Sequence, residues 1–269
     1  VELVESDDAG NPGVTSYTIN DVGVDAIPTG KEIDDSSATF KNGAYTGDIW
    51  NSIYNNKQAL DVSLENAQLS DQVTLTATGV SGVTDGGASI SAQLDEVFTV
   101  EQCLYAIMLA SANDVALQIA EQIGGSVDGF VQMMNNRAVE LGCTNTVFTN
   151  PTGLPDDNQH TTAHDMALIM QAAIQNESFR TIAAATSYTI PATNKAAARN
   201  LTSKFTMTDT GSTGFYEGCI GGKEGYTEAS GSTLVCAAQR NGMTLISVVL
   251  KGASGQTAPD AASILNYGF

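Results

Sequence analysis

Proton and acyl transfer need hydroxyl, amide and amine groups placed within reach of one another, and two short stretches of this chain offer them. Ser111-Ala112-Asn113 interrupts a run that is otherwise apolar, and Lys223 stands between Gly222 and Glu224-Gly225. A serine becomes a nucleophile or a proton carrier only when a base lies within hydrogen-bond reach. Taken singly, each stretch has a plain structural reading. Ser-x-Asn is a polar break between two helices, and a lone lysine on a strand is a solvated side chain. Their significance lies in co-occurrence and order. The two histidines, His160 and His164, fall in HTTAHDM and read as structural or rim residues. Four cysteines, Cys103, Cys143, Cys219 and Cys236, lack metal-type spacing. They could close two bridges, but Cys103 in CLYAIML and Cys236 in LVCAA read as buried free thiols. Neither a zinc site nor any cofactor is expected.

The elements that must position these groups can be read around them. Thr99 followed by Gln102 forms a capping box ahead of LYAIMLA, a run apolar enough to be a central buried helix. After SAN (111–113), DVALQIAEQI resumes helical spacing as far as Gly124-Gly125. A further helix over 126–141 puts Phe130, Val131, Met134, Ala138 and Leu141 on one face, and Thr161 or Thr162 caps another through MALIMQAAI. Earlier, Asp48 to Asn66 is compatible with a helix, VTLTA (73–77) reads as a strand, and TDGGAS (84–89) as a loop. TSYTIN (15–20) is a candidate strand. In the last third, STLVCAAQ and MTLISVVLK are β-rich runs joined through Arg240-Asn241-Gly242, a hairpin signal because both turn residues need positive φ. CIGGKEGY is the neighbouring strand and PDAASILNYGF a closing helix. A helical middle and a late sheet make this an α+β chain.

Composition removes several function classes. The 269 residues carry 11 Lys+Arg against 30 Asp+Glu, a formal charge of -19, which suits neither a nucleic-acid binder nor a polybasic membrane module. A hydrophobic content of 42% fills a core, and no apolar run of about 18 residues exists to span a bilayer. The low charged fraction of 15% suits an exported protein. The chain opens on Val1 with no basic-then-apolar leader, as expected if a signal segment has been removed or the chain trimmed. Residues 1–36 form an acidic N-terminal segment, partly strand, with nine acids against Lys31, and 37–269 form the main domain.

Six blocks in fixed order resemble the serine D-alanyl-D-alanine carboxypeptidases of the penicillin-binding family. They are LENAQLSDQVTL (64–75), FTVEQCLYAIMLASAND (98–114), GGSVDGFVQMMNNRAVELGCTNTVFTNPTGL (124–154), HTTAHDMALIM (160–170), GGKEGYTEASGSTLVCAAQRNGMTLISVVL (221–250) and the closing ILNYGF. The resemblance implies a helical lobe on a five-stranded antiparallel sheet flanked by helices, with a cleft between. It implies serine acyl transfer on peptidoglycan stem peptides: a Ser attacks, a Lys one turn later takes its proton, and Ser-x-Asn passes the proton to the leaving amine while holding the substrate amide. A Lys-Thr-Gly strand adds charge, a hydroxyl for the terminal carboxylate and a backbone oxyanion donor. Here the second element is Ser111-Ala112-Asn113. The third is Lys223-Glu224-Gly225, with the Tyr226 amide as oxyanion donor.

Two positions depart from that pattern. Counting back from Glu65 puts Ile53 in the nucleophile place and Asn56 in that of the base; a one-residue insertion puts Ser52 and Asn55 there instead. Either register has asparagine where the lysine belongs, and Lys57 lies about 140° around the helix from Ser52. Glu224 replaces the family's threonine, beside the expected site of the substrate carboxylate. Two like charges ~4 Å apart repel by roughly 4 kcal/mol at an effective dielectric of about 20, a ~1000-fold loss of binding. The expectation is therefore an extracytoplasmic, monomeric carboxypeptidase-like protein whose hydrolysis is weak or lost, taking stem peptides or β-lactams. Ser52, Ser111, Asn113 and Lys223 are its candidate catalytic groups, and Glu224, Gly225 and Tyr226 its candidate binding residues. The alternative is an inactive relative that binds stem peptides or a cell-surface partner.

Overall fold

The computed structural model describes residues 2–6, 59–60, 62–83 and 87–269. In chain order the elements are β1 (Glu2–Ser6), α1 (residues 59–60 and 62–66), β2 (Gln72–Thr74), α2 (Ala77–Ser81), β3 (Val97–Thr99), α3 (Val100–Ala110), α4 (Asn113–Gly124) and α5 (Val127–Glu140). There follow α6 (Ala163–Ala173), α7 (Glu177–Ala184), β4 (Ser187–Ile190), β5 (Arg199–Thr202), β6 (Cys219–Thr227), β7 (Gly231–Arg240), β8 (Met243–Gly252) and α8 (Thr257–Gly268).

The main sheet is antiparallel, in the order β1-β8-β7-β6, and two small ladders pair β2 with β3 and β4 with β5. Among the described residues the sheet has four strands, against the five that the resemblance implies; the candidate strand TSYTIN lies outside them. The acidic N-terminal segment contributes Glu2–Ser6 to this sheet, against β8.

Both faces of the sheet are covered, which explains why β7 reads as a continuous apolar run. Val235 and Ala237 join the large core shared with the helical lobe and α6, while Leu234, Cys236 and Ala238 join a second core under α8 with Ala261, Ile264 and Leu265. That division is the two-residue period of a strand with both faces buried. The β7–β8 turn is the one expected from Asn-Gly: Asn241 has φ 51° and Gly242 φ 84°.

In the helical lobe, α3 is buried over Val100 and Cys103–Leu109, and both halves of the Thr99–Gln102 capping box form. Ser126 caps α5 and Thr162 caps α6. The VTLTA strand stops short of its expected end. Thr76 turns to accept from the Thr78 N–H and starts α2, so that Ala77 is helical. A clasp from the β4–β5 ladder fixes the approach to α3. Arg199 holds the buried Glu96 carboxylate through two bonds of 2.7 and 2.9 Å, and Asn194 bridges Asp95 and Val97.

Strand β6 leaves little room at its glycines. A Cβ on Gly222 would stand 2.6 Å from the Val235 carbonyl oxygen and against the Phe205 ring, and Gly221 has φ 144°, close against Ala183 of α7. Replacing Gly222→Ala should therefore lower stability by about 1–3 kcal/mol in urea unfolding, since backbone and a packed ring must both shift. An unchanged midpoint would show that β6 has more freedom than this packing gives it.

Candidate active site

The helical wall of the site is made by the break between α3 and α4. An apolar helix buried on every side has to end where the chain can turn, and Ser111 does this in the left-handed region, at φ 54° and ψ 40°. The Ala112 N–H closes the end of α3 on the Ala106 carbonyl at 3.2 Å, and the Asn113 N–H donates to the Ala88 carbonyl at 2.8 Å. Asp114, buried in the first turn of α4, accepts from Ser89 Oγ at 2.7 Å and from the Ala92 N–H at 3.0 Å. Its charge suits a helix N-terminus, and it ties the 88–92 segment to the turn that carries Ser111 and Asn113.

The opposite wall is β6, an edge of the sheet among the described residues. Lys223 is 3% exposed, and its ammonium donates to Ser111 Oγ at 2.7 Å and to the Glu224 carbonyl at 2.8 Å. One hydrogen bond thus joins the two sequence stretches across 112 residues. Burial pushes Lys223 down to about 8; the nearby Lys204 cation acts in the same direction and the Glu224 carboxylate opposes it. Burial raises Glu224 above the usual carboxylate range against the pull of Lys223 and Lys204. An amine that titrates near neutrality and is bonded to a hydroxyl can accept and return a proton.

Between the walls lies a cleft of about 670 Å³, lined among others by Ser111, Asn113, Lys204, Glu224, Gly225 and Tyr226. Asn113 is 3% exposed, and its Oδ1 has no hydrogen-bond partner among the described residues. Gly225 accepts from Thr233 Oγ1 at 3.3 Å, and Tyr226 stands 64% exposed. Six of the seven expected site residues are therefore together: five line the cleft and Lys223 bonds to one of them. Ser52 lies outside the described residues. Lys204 is a cleft residue that sequence reasoning missed, because nothing in TSKFTM ties it by spacing to Lys223.

The histidines take no part in the cleft wall. The His160 backbone pairs with Val147, its Nδ1 lies 3.1 Å from the Asn158 carbonyl, and His164 sits on the first turn of α6. All four cysteines are free, as the apolar settings of Cys103 and Cys236 suggested, and burial raises Cys143 to about 12 and Cys219 to about 11. No helix among the described residues is long and apolar enough to cross a membrane.

Comparison with known proteins agrees with this geometry. Residues 58–254 match peptidase family S11, D-alanyl-D-alanine carboxypeptidase, in a stretch that begins after Ser52. The chain is 33% identical over 208 residues to D-alanyl-D-alanine carboxypeptidase DacB2 of Mycobacterium tuberculosis, covering 74% of this chain and 69% of that protein. It is 36% identical over 189 residues to D-alanyl-D-alanine carboxypeptidase DacF of Bacillus subtilis, covering 70% and 46%. Its fold matches the crystal structure of D-alanyl-D-alanine carboxypeptidase from M. tuberculosis H37Rv with a TM-score of 0.75 at 25% identity, over 100% of this chain and 90% of that one. It matches the Streptomyces K15 DD-transpeptidase with a TM-score of 0.73 at 27% identity, over 83% and 89%. A lysine buried against the serine of a helix break, on the edge strand of a sheet of this topology, is thus found in a chain that belongs to the D-alanyl-D-alanine carboxypeptidase family.

Proposed function

We propose that this cleft binds the acyl-D-alanyl-D-alanine end of peptidoglycan stem peptides, and the β-lactams that mimic it, and performs slow serine acyl transfer on the extracytoplasmic side of the cell. The observation that carries this reading is the bond of 2.7 Å between the buried Lys223 and Ser111 Oγ. In its neutral form Lys223 can take a proton through Ser111 and return it to the leaving nitrogen, while the Glu224 carbonyl keeps the amine aimed at Ser111. In this reading Ser52 is the acyl-accepting hydroxyl, and the open Oδ1 of Asn113 receives the ligand's amide N–H. Gly225 and Tyr226 present backbone to the ligand, with the Tyr226 amide as oxyanion donor.

Two features slow the reaction. Asparagine stands where a base one turn after the nucleophile is expected, and general-base assistance is worth ~100- to 10,000-fold. Glu224 puts a carboxylate on the cleft wall where the family has a neutral hydroxyl. That carboxylate also favours a second reading, a family member that binds stem peptides or a cell-surface partner without cleaving them.

Intact-protein mass after incubation with excess benzylpenicillin separates the two. The first reading expects a single acyl adduct that is absent in Ser52→Ala and forms ~100-fold more slowly in Ser111→Ala. No adduct over hours would remove acyl transfer and leave the binding reading.

Ser111→Ala also bears on stability. Folding lowers the pKa of Lys223, so the charged buried amine opposes folding at pH values below about 8. Removing an acceptor lowers that pKa further and deepens the penalty, by about 1 kcal/mol at pH 7, where release of the Lys223 proton caps the loss. The difference from the unaltered protein should be largest in acid, shrink as pH rises toward about 8, and be nearly gone above it, where Lys223 is neutral in both folded proteins. A pH-independent difference in urea unfolding would contradict a charged Lys223 held by Ser111.

A further inference from the structure

Glu224 is an acid on the cleft wall without a donor to hold its charge. It is half-buried on β6, yet among the described residues its side chain accepts no hydrogen bond and closes no ion pair within 4.0 Å. Its cross-strand neighbour on β7 is Leu234, buried in the core under α8. The Lys223 ammonium is engaged with Ser111 Oγ and with the carbonyl, not the carboxylate, of Glu224. Two cations act on Glu224 through space, Lys223 and the exposed Lys204 of the segment after β5. The charged residues on the elements packed around this strand are Glu177 and Arg180 of α7, Asp260 in the first turn of α8, and Arg240 at the far end of β7.

Burial without donors disfavours a carboxylate, and Glu224 is accordingly raised above the ordinary range, with the two lysines opposing the shift. A protonated carboxyl has what a carboxylate lacks, an O–H donor like that of a threonine. In the proposed reading this side chain stands where the family pattern puts the hydroxyl that meets the ligand's terminal carboxylate. We infer that the proton on Glu224 decides whether the cleft takes that carboxylate: the protonated side chain donates a hydrogen bond to it, and the ionised one repels it. Binding then brings a proton from solvent onto Glu224. The inference rests on the reading of this cleft as the stem-peptide site and adds to it the residue that admits the ligand's charged end. The permissive range is bounded above by the titration of Glu224 and below by that of the ligand's own carboxyl, at about 3.5. Lys223 titrates at about 8 and keeps its charge across that range. Acylation would add the pH dependence of Lys223 as a proton carrier, so the effect of Glu224 is read in binding.

Calorimetry on the full chain tests it, with N-acetyl-D-alanyl-D-alanine and its C-terminal amide at pH 7 and pH 5. The acid probe should bind about tenfold more tightly at pH 5, the lower end of what one charge-assisted hydrogen bond is worth, while the amide probe does not tighten. Tenfold over two pH units corresponds to about half a proton taken up per ligand on average. Titrations in buffers of different ionisation enthalpy read that uptake directly. Glu224→Gln, which offers an N–H donor at every pH, should bind the acid probe at pH 7 as tightly as the unaltered protein does at pH 5, with no uptake. Asp260→Asn should leave the pH dependence in place, which separates Glu224 from another carboxyl that burial raises. The uptake and the comparison with the amide need no variant, so the test stands if Glu224→Gln folds poorly.

Equal affinity for the acid probe at the two pH values, or a tightening in acid that persists in Glu224→Gln, would overturn the inference. If the acid probe binds at neither pH while benzylpenicillin still acylates the protein, the inference alone falls. If neither compound engages the cleft, the underlying reading falls with it.

Discussion

The arrangement of this molecule turns on an ammonium that has been taken out of water. Lys223 is almost wholly buried where the sheet meets the helical lobe, and stripping a cation of its solvent costs several kcal/mol unless acceptors replace the water. Two do so: Ser111 Oγ and the Glu224 carbonyl. Ser111 can reach it because α3, buried from Cys103 to Leu109, ends there in a left-handed turn, and because Asp114 ties the 88–92 segment to that turn. Strand β6 can bring Lys223 to it because Gly221 and Gly222 let the strand pass under α7 and Phe205 without side chains of their own. The same burial that makes the lysine costly brings its titration close to neutrality, where it can handle protons.

Much of this was legible in the sequence because the relevant signals are local. Thr99 and Gln102 announce the start of α3, the unbroken apolar run announces its burial, and Asn241-Gly242 announces the β7–β8 hairpin. Other features were not legible, for physical reasons. The Thr76 that starts α2 follows Val73 and Leu75, an alternation that continues a strand by pattern until the Thr76 side chain caps the Thr78 N–H. Helix α7 is only eight residues long and the β4 and β5 strands only four each, too short for periodicity to separate them from loop. Lys204 joins the cleft by tertiary folding alone, with no spacing to betray it.

The chemistry of the cleft combines inheritance and change. In the proposed reading the Ser111–Asn113–Lys223 constellation is the part shared with the family pattern, and it is held by backbone geometry that tolerates little alteration. Glu224 is the departure, and it sits where charge has the largest effect: half-buried, beside Lys223 and within the field of Lys204. A carboxylate at this place on the cleft wall bears on which ligand charges fit more than on the fold. Only the side chain differs, while the backbone course of β6 is set by its glycines and by its pairing with β7.

The account depends most directly on the protonation of Lys223, so an NMR titration of its side-chain εCH2 group, assigned by comparison with Lys223→Met, tests it with the least inference. The account predicts a midpoint near 8. A midpoint in the ordinary lysine range would mean that the amine is solvated, that its bond to Ser111 does not persist in solution, and that the cleft lacks the proton carrier on which its chemistry rests.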